Sequence, residues 1–342
     1  MSYQSRREFI KHLAFASAAV SLGGCHSVFQ PTPTPKPLFD ISLAQWSLHR
    51  TLFGAKTSAE RLRGLSGPQV ADTLRNNPKY LLRGSLDPMD FPAYAKSQFG
   101  ISAVEYVNTF YLGKARDTKY LSELKLRAYD AGVKNVLIMC DLEGDLGHPD
   151  KKERITAVKN HYQWVEAAAL LGCHAIRVNA KSAGTWQEQV DLAAEGLSQL
   201  ADYAARYDIN VLVENHGGLS SNPKWLTSVM KTANHKRLGT LPDFGNFRIS
   251  ESEHYDYYQG VKELMPYARA VSAKSIDFNA KGEHSTFDYD RMMRIVIESG
   301  YRGFVGIEYE GEHLSEQQGI EYTLAQLQHI REQLSQGSTL SI

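Results

Sequence analysis

Eight short runs of branched aliphatic residues recur along the chain, and each is followed by a longer segment whose apolar residues have helical spacing. Strands that alternate with helices in this way are parallel and are joined by right-handed crossovers. The runs are Phe39 to Trp46, Ile101 to Val107, Val133 to Cys140, Ala175 to Asn179, Ile209 to Glu214, Leu238 to Asp243, Ala268 to Lys274 and Phe304 to Glu308. Eight such units within about 300 residues predict an α/β fold, a single-domain (β/α)8 TIM barrel.

An open, doubly wound sheet is the alternative arrangement for strands that alternate with helices. Nucleotide-binding folds of that class carry a glycine-rich turn after the first strand, which lets the backbone approach a phosphate. This chain has Gln45-Trp46-Ser47 at that point, without a glycine. The barrel is therefore the favoured prediction.

The connection between the first two runs is longer than a single crossover helix requires. It extends from Ser47 to Gly100, and its last part, Pro88 to Phe99, has the pattern of a regular first helix. The preceding part, Thr57 to Gly84, has helical spacing that is interrupted by Gly-Pro and Asn-Pro pairs. Because this extra part leaves the carboxyl end of the first strand, it predicts a helical flap over that end of the barrel.

Residues 1–25 predict an export signal. The stretch Ser5-Arg-Arg-Glu-Phe-Ile-Lys11 resembles a twin-arginine signal, and the apolar segment that follows, Leu13 to Leu22, is too short to span a bilayer. Leu22-Gly-Gly-Cys25 resembles a bacterial lipobox, in which the cysteine becomes the lipidated first residue. Residues 26–37 are rich in alternating prolines and predict an extended linker, so the barrel is expected over residues 38–342. We therefore expect a periplasmic protein or a lipoprotein whose membrane contact is a lipid at Cys25.

The charge balance and the cysteines exclude two classes of protein. The 38 basic side chains match the 38 acidic ones, and no basic run follows the first dozen residues, which argues against a nucleic-acid partner. Cys140 and Cys173 lie in or beside apolar runs. They predict buried free thiols rather than a disulfide framework or a cysteine-rich zinc site.

Polar side chains stand at the carboxyl ends of most of the apolar runs. In a (β/α)8 barrel these ends meet at one mouth, where the active site lies. Carboxylates that converge there repel each other unless a cation or shared protons compensate, which points to a metal ion. The polar residues are Glu105, Arg177, Asn179, Glu214, His216, Asp243, Lys274, Glu308 and Glu310.

Three of these strand ends carry motifs that resemble those of the xylose isomerase-like TIM barrels. The motifs are Val211-Leu-Val-Glu214-Asn215-His216 on strand five, Leu241-Pro-Asp243-Phe-Gly-Asn246 on strand six, and Val305-Gly-Ile-Glu308-Tyr-Glu310-Gly311 on strand eight. The resemblance extends over the chain from Leu38 onward. That superfamily includes sugar and sugar-phosphate isomerases and epimerases, inosose dehydratases and endonuclease IV.

The resemblance implies a metal site and an acid/base pair. In the ketose epimerases of this group, a strand-five Glu, a strand-six Asp, a strand-seven His and a strand-eight Glu hold one Mn or Mg ion, and the two glutamates exchange the substrate proton. Carried over to this chain, Glu214, Asp243 and Glu308 are expected to hold a divalent metal (Mn, Mg, Zn or Co). Glu214 and Glu308 are the expected catalytic acid and base.

Strand seven departs from the family pattern. Where the family commonly has His-x-Lys, this chain has Ser272 two residues before Lys274, and a neutral hydroxyl is a poor metal ligand. Three arrangements remain open: three carboxylates hold the ion with water, His216 or His284 replaces the missing ligand, or Lys274 supplies the positive charge without a metal. Because Lys274 has the same pleat parity as Ser272, we expect it to face inward as a catalytic, substrate-binding or charge-compensating group.

Six residues are candidates for contacts with a sugar. Trp46 suits stacking on the apolar face of a sugar ring, with core packing as the alternative. Asn246 stands where related epimerases carry a substrate-contacting His, and its alternative is a turn residue. His216 and His284 follow strands five and seven, and each could instead be an ordinary loop histidine. The full set is Trp46, Glu105, Asn179, His216, Asn246 and His284.

The leading functional hypothesis is an exported sugar isomerase or epimerase that removes a proton from carbon next to a carbonyl. Export favours free sugars, cyclitols or glycosides over phosphorylated sugars, and a keto-sugar substrate would require a partner sugar oxidoreductase. A 3-keto-glycoside or cyclitol lyase or dehydratase on the same scaffold is an alternative, because elimination also starts with an acidic α-proton. A carbohydrate-binding lipoprotein without turnover is another, given the missing strand-seven histidine. An endonuclease is disfavoured, because its chemistry needs a histidine-rich metal cluster and a basic groove.

Overall fold

The computed structural model describes residues 37–54, 63–279 and 282–337. The predicted export signal with Cys25, and residues 26–36 of the predicted linker, lie outside the described residues, so these assignments stay predictions. Within the described ranges, no helix combines the length and the apolar character that a membrane span requires.

Eight strands form one sheet, and each strand overlaps one of the predicted apolar runs. Every pair of neighbours is parallel, in the order β6-β5-β4-β3-β2-β1-β8-β7. The strands are β1 Asp40–Ala44, β2 Ala103–Val107, β3 Lys134–Met139, β4 Ala175–Val178, β5 Asn210–Glu214, β6 Leu238–Leu241, β7 Val271–Ser275 and β8 Phe304–Tyr309. The predicted strand count and the parallel direction are confirmed.

The two edges of this sheet meet and close it into a barrel. Single parallel bridges join Thr240 to Ala268 and Asp243 to Ser272, which connects the β6 segment to the β7 segment. The Ser272 amide donates to the Pro242 carbonyl at 2.9 Å, so the backbone of the closing edge is hydrogen-bonded. The prediction of a (β/α)8 barrel is confirmed, and the alternative of an open sheet is wrong.

Helices follow the strands and cover the outside of the barrel. Most begin at a residue whose side chain accepts from backbone amides of the first turn, such as Asp150 before α5 and Thr185 before α6. The helices are α1 His49–Phe53, α2 Gly67–Asn76, α3 Phe91–Phe99, α4 Thr118–Asp130, α5 Lys151–Leu171, α6 Trp186–Ala205, α7 Pro223–Ala233, α8 Tyr257–Leu264, α9 Tyr289–Glu298 and α10 Glu316–Gly337.

The predicted flap between β1 and β2 contains α1 and α2, although residues 55–62 are not described. Ser66 and Gln69 form a capping box at the start of α2, and Ala71 and Leu74 face inward from it. The backbone of α2 approaches the chain after β2 closely: a Cβ on Gly113, which has a φ of 83°, would lie 2.9 Å from the Arg75 carbonyl oxygen. The end of α2 is thereby fixed to the segment that leaves β2.

The barrel interior contains polar groups below its mouth. Glu105 of β2 is fully buried and accepts a hydrogen bond of 2.5 Å from the Ser42 hydroxyl of β1. The glutamate lies against Gly306 of β8, where an added Cβ would lie 2.6 Å from the Glu105 carboxyl. Burial raises the pKa of Glu105 to about 7, against the lowering by the Ser42 hydrogen bond. A carboxyl group therefore occupies space that branched aliphatic side chains fill in most barrels.

Candidate active site

Three predicted carboxylates come together at the carboxyl ends of their strands. Glu214 is the last residue of β5, Asp243 follows β6 by two residues, and Glu308 lies near the end of β8. One carboxylate oxygen of each lies within 4.8 Å of the corresponding oxygens of the other two, and all three side chains are buried. Oxygens at this spacing could share one divalent ion.

Backbone amides and asparagine side chains fix two of these carboxylates. The amides of Gly245 and Asn246 donate to Asp243 Oδ1 at 2.8 and 2.9 Å. The Asn246 side chain donates to Glu214 Oε1 at 2.9 Å, so it bridges the loop after β6 to the end of β5. Asn246, predicted to contact a sugar hydroxyl, therefore uses its amide nitrogen to position Glu214.

Ser272 occupies the position of the missing histidine and bridges two carboxylates. Its hydroxyl oxygen lies 2.9 Å from Asp243 Oδ2 and 2.9 Å from Glu308 Oε2. A serine hydroxyl has a single proton to donate, so the second contact requires a proton on a carboxyl group. Burial raises the pKa of Asp243 to about 7, against the lowering by Lys274, which makes a shared proton at this position reasonable.

Lys274 faces inward, as predicted, and its ammonium group lies among three carboxylates. Nζ is 3.0 Å from Glu310 Oε2, 3.5 Å from Asp243 Oδ2 and 3.7 Å from Glu308 Oε1. Only 3% of the side chain is exposed. Burial alone would lower the pKa of Lys274, but the surrounding carboxylates raise it well above its usual value. Lys274 is therefore a permanent cation beside Asp243 and Glu308, two of the three carboxylates that come together at the strand ends.

Arg177 of β4 supplies a second buried cation. Its Nε lies 2.7 Å from Glu214 Oε2, and its Nη1 donates to Asp141 Oδ1 at 2.8 Å. The contact with Glu214 is close but poorly aligned, so Glu214 Oε2 has no hydrogen-bond donor among the described residues. Burial raises the pKa of Glu214 to about 7, against the lowering by Arg177. Glu214 Oε2 is therefore held by an ion pair with Arg177 rather than by a well-aligned hydrogen bond.

Asp141 was missed by the sequence analysis, although it belongs to this network. It follows β3, the strand for which no site residue was predicted, and it accepts from Arg177 and from the Asn179 side chain at 2.9 Å. The position immediately after the apolar run was the available signal. Asn179, predicted to contact the substrate, holds Asp141 through its amide nitrogen.

A cavity of about 370 Å³, within the size range of small-molecule sites, is bordered by Glu308, Arg177 and Asp141, whereas Glu214 and Asp243 are buried outside its lining. Trp46 and Phe53 form an aromatic wall of the cavity, and both rings contact Phe110. The Trp46 ring stacks on His49 with centroids 5.1 Å apart. Val70 of α2 contributes to the lining, so the flap borders the cavity as predicted. Its lining residues include Trp46, Phe53, Val70, Asp141, Leu142, Arg177, His216, Glu308 and Glu310. We call it the primary pocket.

Two predicted sugar contacts lie elsewhere. Glu105 sits in the barrel interior below the carboxylates and is absent from the lining of the primary pocket. His284 packs beside Phe287, with ring centroids 4.3 Å apart, and lines a separate cavity with Tyr258 and His329. Burial lowers the pKa of His284 to about 4. His284 is therefore positioned neither as a wall of the primary pocket nor as a replacement ligand beside Asp243, which corrects the expected positions of both residues.

Comparison with known proteins identifies the family and the fold. Residues 93–333 match the family model described as xylose isomerase-like TIM barrel. No curated protein sequence gives a significant match.

Several solved structures share the fold. A 3-keto-D-glucoside 4-epimerase from E. coli is 16% identical, with a TM-score of 0.58 over 71% of this chain and 94% of its own. An L-ribulose 3-epimerase is 14% identical, with a TM-score of 0.61 over 88% of this chain and 97% of its own. A xylose isomerase-like TIM barrel protein from Mycobacterium smegmatis, in complex with magnesium, is 17% identical, with a TM-score of 0.57 over 86% and 97%. At these identities the likeness establishes the fold.

Proposed function

The chain belongs to the xylose isomerase-like TIM barrel family, and from this premise we propose that it is a sugar isomerase or epimerase acting by proton abstraction next to a carbonyl group. The observation that carries the proposal is the convergence of Glu214, Asp243 and Glu308 beneath a pocket with an aromatic wall. Several of the solved structures that share the fold are sugar epimerases, which supports this class of reaction.

Glu214, Asp243 and Glu308 would hold a divalent metal ion. The donor set fits a hard cation, because it consists of three carboxylates that each bring one oxygen within 4.8 Å of the other two. The charge also fits: five carboxylates surround Arg177 and Lys274, an excess of three negative charges if all are ionised. These carboxylates are Asp141, Glu214, Asp243, Glu308 and Glu310. When bound, such an ion supplies positive charge near sugar oxygens that become negative as the proton leaves.

Glu214 and Glu308 are the proposed acid/base pair. Glu214 is the last residue of β5 and Glu308 the penultimate residue of β8, so they come from strands that are not neighbours in the barrel, and we infer that they act on opposite faces of a bound sugar. Burial raises the pKa of Glu214 above its usual value, which favours proton uptake by this carboxylate, and general acid/base catalysis is most efficient when the pKa lies near the working pH. Arg177 would hold Glu214 in place, and Lys274 would stabilise negative charge at Glu308.

The substrate is proposed to be a sugar without a phosphate group. Both cations beneath the primary pocket already contact carboxylates: Arg177 contacts Asp141 and Glu214, and Lys274 contacts Glu310. Among the described residues lining the pocket, no cation is left for a phosphate. Trp46 offers the aromatic face on which a sugar ring stacks.

Two alternatives rest on specific observations. A lyase acting on a 3-keto-glycoside or a cyclitol would use the same proton abstraction, and one protein with this fold acts on a 3-keto-glucoside. A binding protein without turnover is favoured by Ser272 and Lys274, which neutralise the carboxylates without a metal. Product analysis after proton exchange separates an isomerase from a lyase.

The metal site is tested by Glu214→Gln. We expect purified wild-type protein to carry close to one equivalent of Mn, Mg, Zn or Co, and the variant to lose most of it, because an amide oxygen is a weaker ligand than a carboxylate. Elemental analysis of protein prepared without chelator measures this. The matched control is Glu263→Gln, a carboxylate of α8 that accepts from the Tyr255 hydroxyl outside the site. Equal metal in all three proteins would place the ion elsewhere.

We also propose that the protein is exported and anchored through a lipid at Cys25. Cys25→Ser is then expected to move the protein from the membrane fraction to the soluble fraction, because the lipidated residue is lost. Fractionation of cells followed by immunoblotting measures the shift. Cys173→Ser, at a buried thiol of the barrel, is the control and should remain with the membrane. A wild-type protein found in the soluble fraction would contradict lipidation.

A further inference from the structure

A second cavity of about 550 Å³ adjoins the primary pocket. It lies between α2 of the flap, the loop after β3 and the inner face of α5, and Asp141 and Leu142 line both cavities. Its volume falls within the range of small-molecule sites. A ligand that fills the primary pocket could therefore extend past Asp141 into this cavity, which we call the outer cavity.

A buried histidine presents a hydrogen-bond acceptor to the outer cavity. His161 of α5 is only 2% exposed, and its Nδ1 lies 2.8 Å from the Ala157 carbonyl oxygen, so Nδ1 must carry the proton. Burial lowers the pKa of His161 to about 4, which keeps the ring neutral. Nε2 therefore bears a lone pair, and no described residue donates to it. An acceptor without a protein donor, on a residue that lines the cavity, can accept from a ligand hydroxyl.

The residue between the two cavities has an unusual backbone conformation. Leu142 has a φ of 63°, in the left-handed region that a bulky side chain rarely adopts. Strain of this kind persists where the surroundings fix it, and it is concentrated at functional sites. Leu142 borders both cavities, and the residue before it, Asp141, accepts from Arg177.

The charges of the outer cavity favour a neutral ligand. Arg75 contacts Glu143 at 3.1 Å, and Lys181 contacts Asp145 at 3.2 Å. The arginine and the lysine on the described walls of the cavity are therefore each paired with a carboxylate. A phosphate or carboxylate ligand would have to compete with these carboxylates. A polyhydroxylated neutral ligand would not, because it can both donate to carboxylates and accept from His161.

The α2 wall of the outer cavity lies outside the part of the chain that matches the family. The match begins at residue 93, whereas α2 contributes Gly67, Pro68, Ala71 and Arg75 to the lining. The cavity therefore depends on the extra segment between β1 and β2. It is a feature of this chain that the family match does not account for.

We propose that the outer cavity binds a second sugar ring, so that the substrate is a disaccharide or another glycoside whose first ring occupies the primary pocket. The inference rests on the proposed function for the identity of the first ring. His161 Nε2 accepts from a hydroxyl of the second ring, and Leu142 marks the passage between the two rings.

Thr156→Trp tests the subsite. Thr156 lies on the exposed edge of α5 and lines the outer cavity, so an indole there would occupy it without disturbing the core. Isothermal titration of the full-length protein with methyl β-D-glucoside, cellobiose and maltose compares one-ring and two-ring probes. We expect at least one two-ring probe to bind at least tenfold more tightly than the one-ring probe, and the variant to lose that preference. Lys159→Trp, at an exposed α5 residue outside the cavity lining, is the matched control and should keep it.

A second variant and a second measurement distinguish a failure of the proposed subsite from a failure of the proposed chemistry. His161→Phe, which removes the acceptor, should reduce the two-ring preference if the helix stays folded by circular dichroism. Equal affinity for one-ring and two-ring probes in the wild type, or no binding of any probe, would overturn the subsite. Proton exchange of the 3-keto derivatives in D₂O is followed separately by NMR. A two-ring preference without proton exchange would support the subsite and overturn the proposed chemistry. Proton exchange without a two-ring preference would support the proposed chemistry and overturn the subsite.

Discussion

Glu308→Gln is expected to reduce turnover by ~10²–10⁴-fold while the protein still folds and binds sugar, because the substitution removes one member of the proposed acid/base pair. Glu308 Oε2 contacts the Ser272 hydroxyl at 2.9 Å, and an amide at this position can keep that contact. The substitution is nearly isosteric, so we expect little change in the shape of the primary pocket. Proton exchange from keto-sugars in D₂O measures turnover, and titration calorimetry measures binding.

Metal occupancy must be followed in the same samples, because Glu308 is also a proposed ligand. Exchange is therefore compared at saturating Mn²⁺, with the bound metal determined for each protein. Glu263→Gln, at a carboxylate of α8 that accepts from the Tyr255 hydroxyl away from the site, controls for the loss of one charge. Wild-type protein that binds sugar but exchanges no proton, with the variant merely binding more weakly, would favour the carbohydrate-binding protein over the enzyme.

The fold could be predicted because its signal is repeated eight times. Each apolar run marks a strand, and an error of one or two residues at a boundary does not change the topology. The three carboxylates of the site could be predicted for the same reason. Glu214, Asp243 and Glu308 lie within two residues of a strand end, and all strand ends of a parallel barrel meet at one mouth.

The depth at which a side chain lies within the barrel could not be predicted from the sequence. Glu105 is followed by Tyr106 and Val107 in β2, so it lies one layer below a residue such as Glu214, which ends β5. That difference decides whether a carboxylate faces a substrate or the barrel interior. It depends on the stagger of the strands around the barrel, which the pattern within one strand does not contain.

The positions of side chains on loops could not be predicted either. Asp141 contacts Arg177 on a loop whose next residue, Leu142, has a left-handed backbone conformation that its residue type does not indicate. His284 packs beside Phe287 because the loop after β7 folds back on itself, with a bridge between Phe278 and His284. Such arrangements result from tertiary contacts rather than from local sequence patterns.

Whether the carboxylates bind a divalent ion depends on Lys274. Its ammonium group already contacts Glu310, Asp243 and Glu308, two of which would be metal ligands. A lysine and a divalent ion so close together repel each other, so the lysine must weaken binding of the ion. Removing one partner of a buried ion pair costs about 3–5 kcal/mol, because it leaves a buried charge without compensation.

Lys274→Met is therefore expected to have two effects of opposite sign. In EDTA the free energy of unfolding should fall by about 3 kcal/mol, because Asp243, Glu308 and Glu310 lose their shared cation. With Mn²⁺ present, the affinity for the ion should rise at least tenfold, and much of the lost stability should return through binding to the folded state. Denaturant unfolding and metal titration measure the two effects, and Lys231→Met, at an exposed lysine of α7, is the control.

The two effects together distinguish a metal enzyme from a site that uses lysine as its cation. One outcome is that Mn²⁺ restores the stability of Lys274→Met and binds this variant more tightly than the wild type. Glu214, Asp243 and Glu308 are then a metal site, and the native lysine lowers its affinity for the ion. If the variant is destabilised and no divalent ion restores it, Lys274 is the cation that these carboxylates need. The function would then have to be explained with Lys274 supplying the positive charge beneath the primary pocket, and Ser272 would be its partner rather than a lost metal ligand.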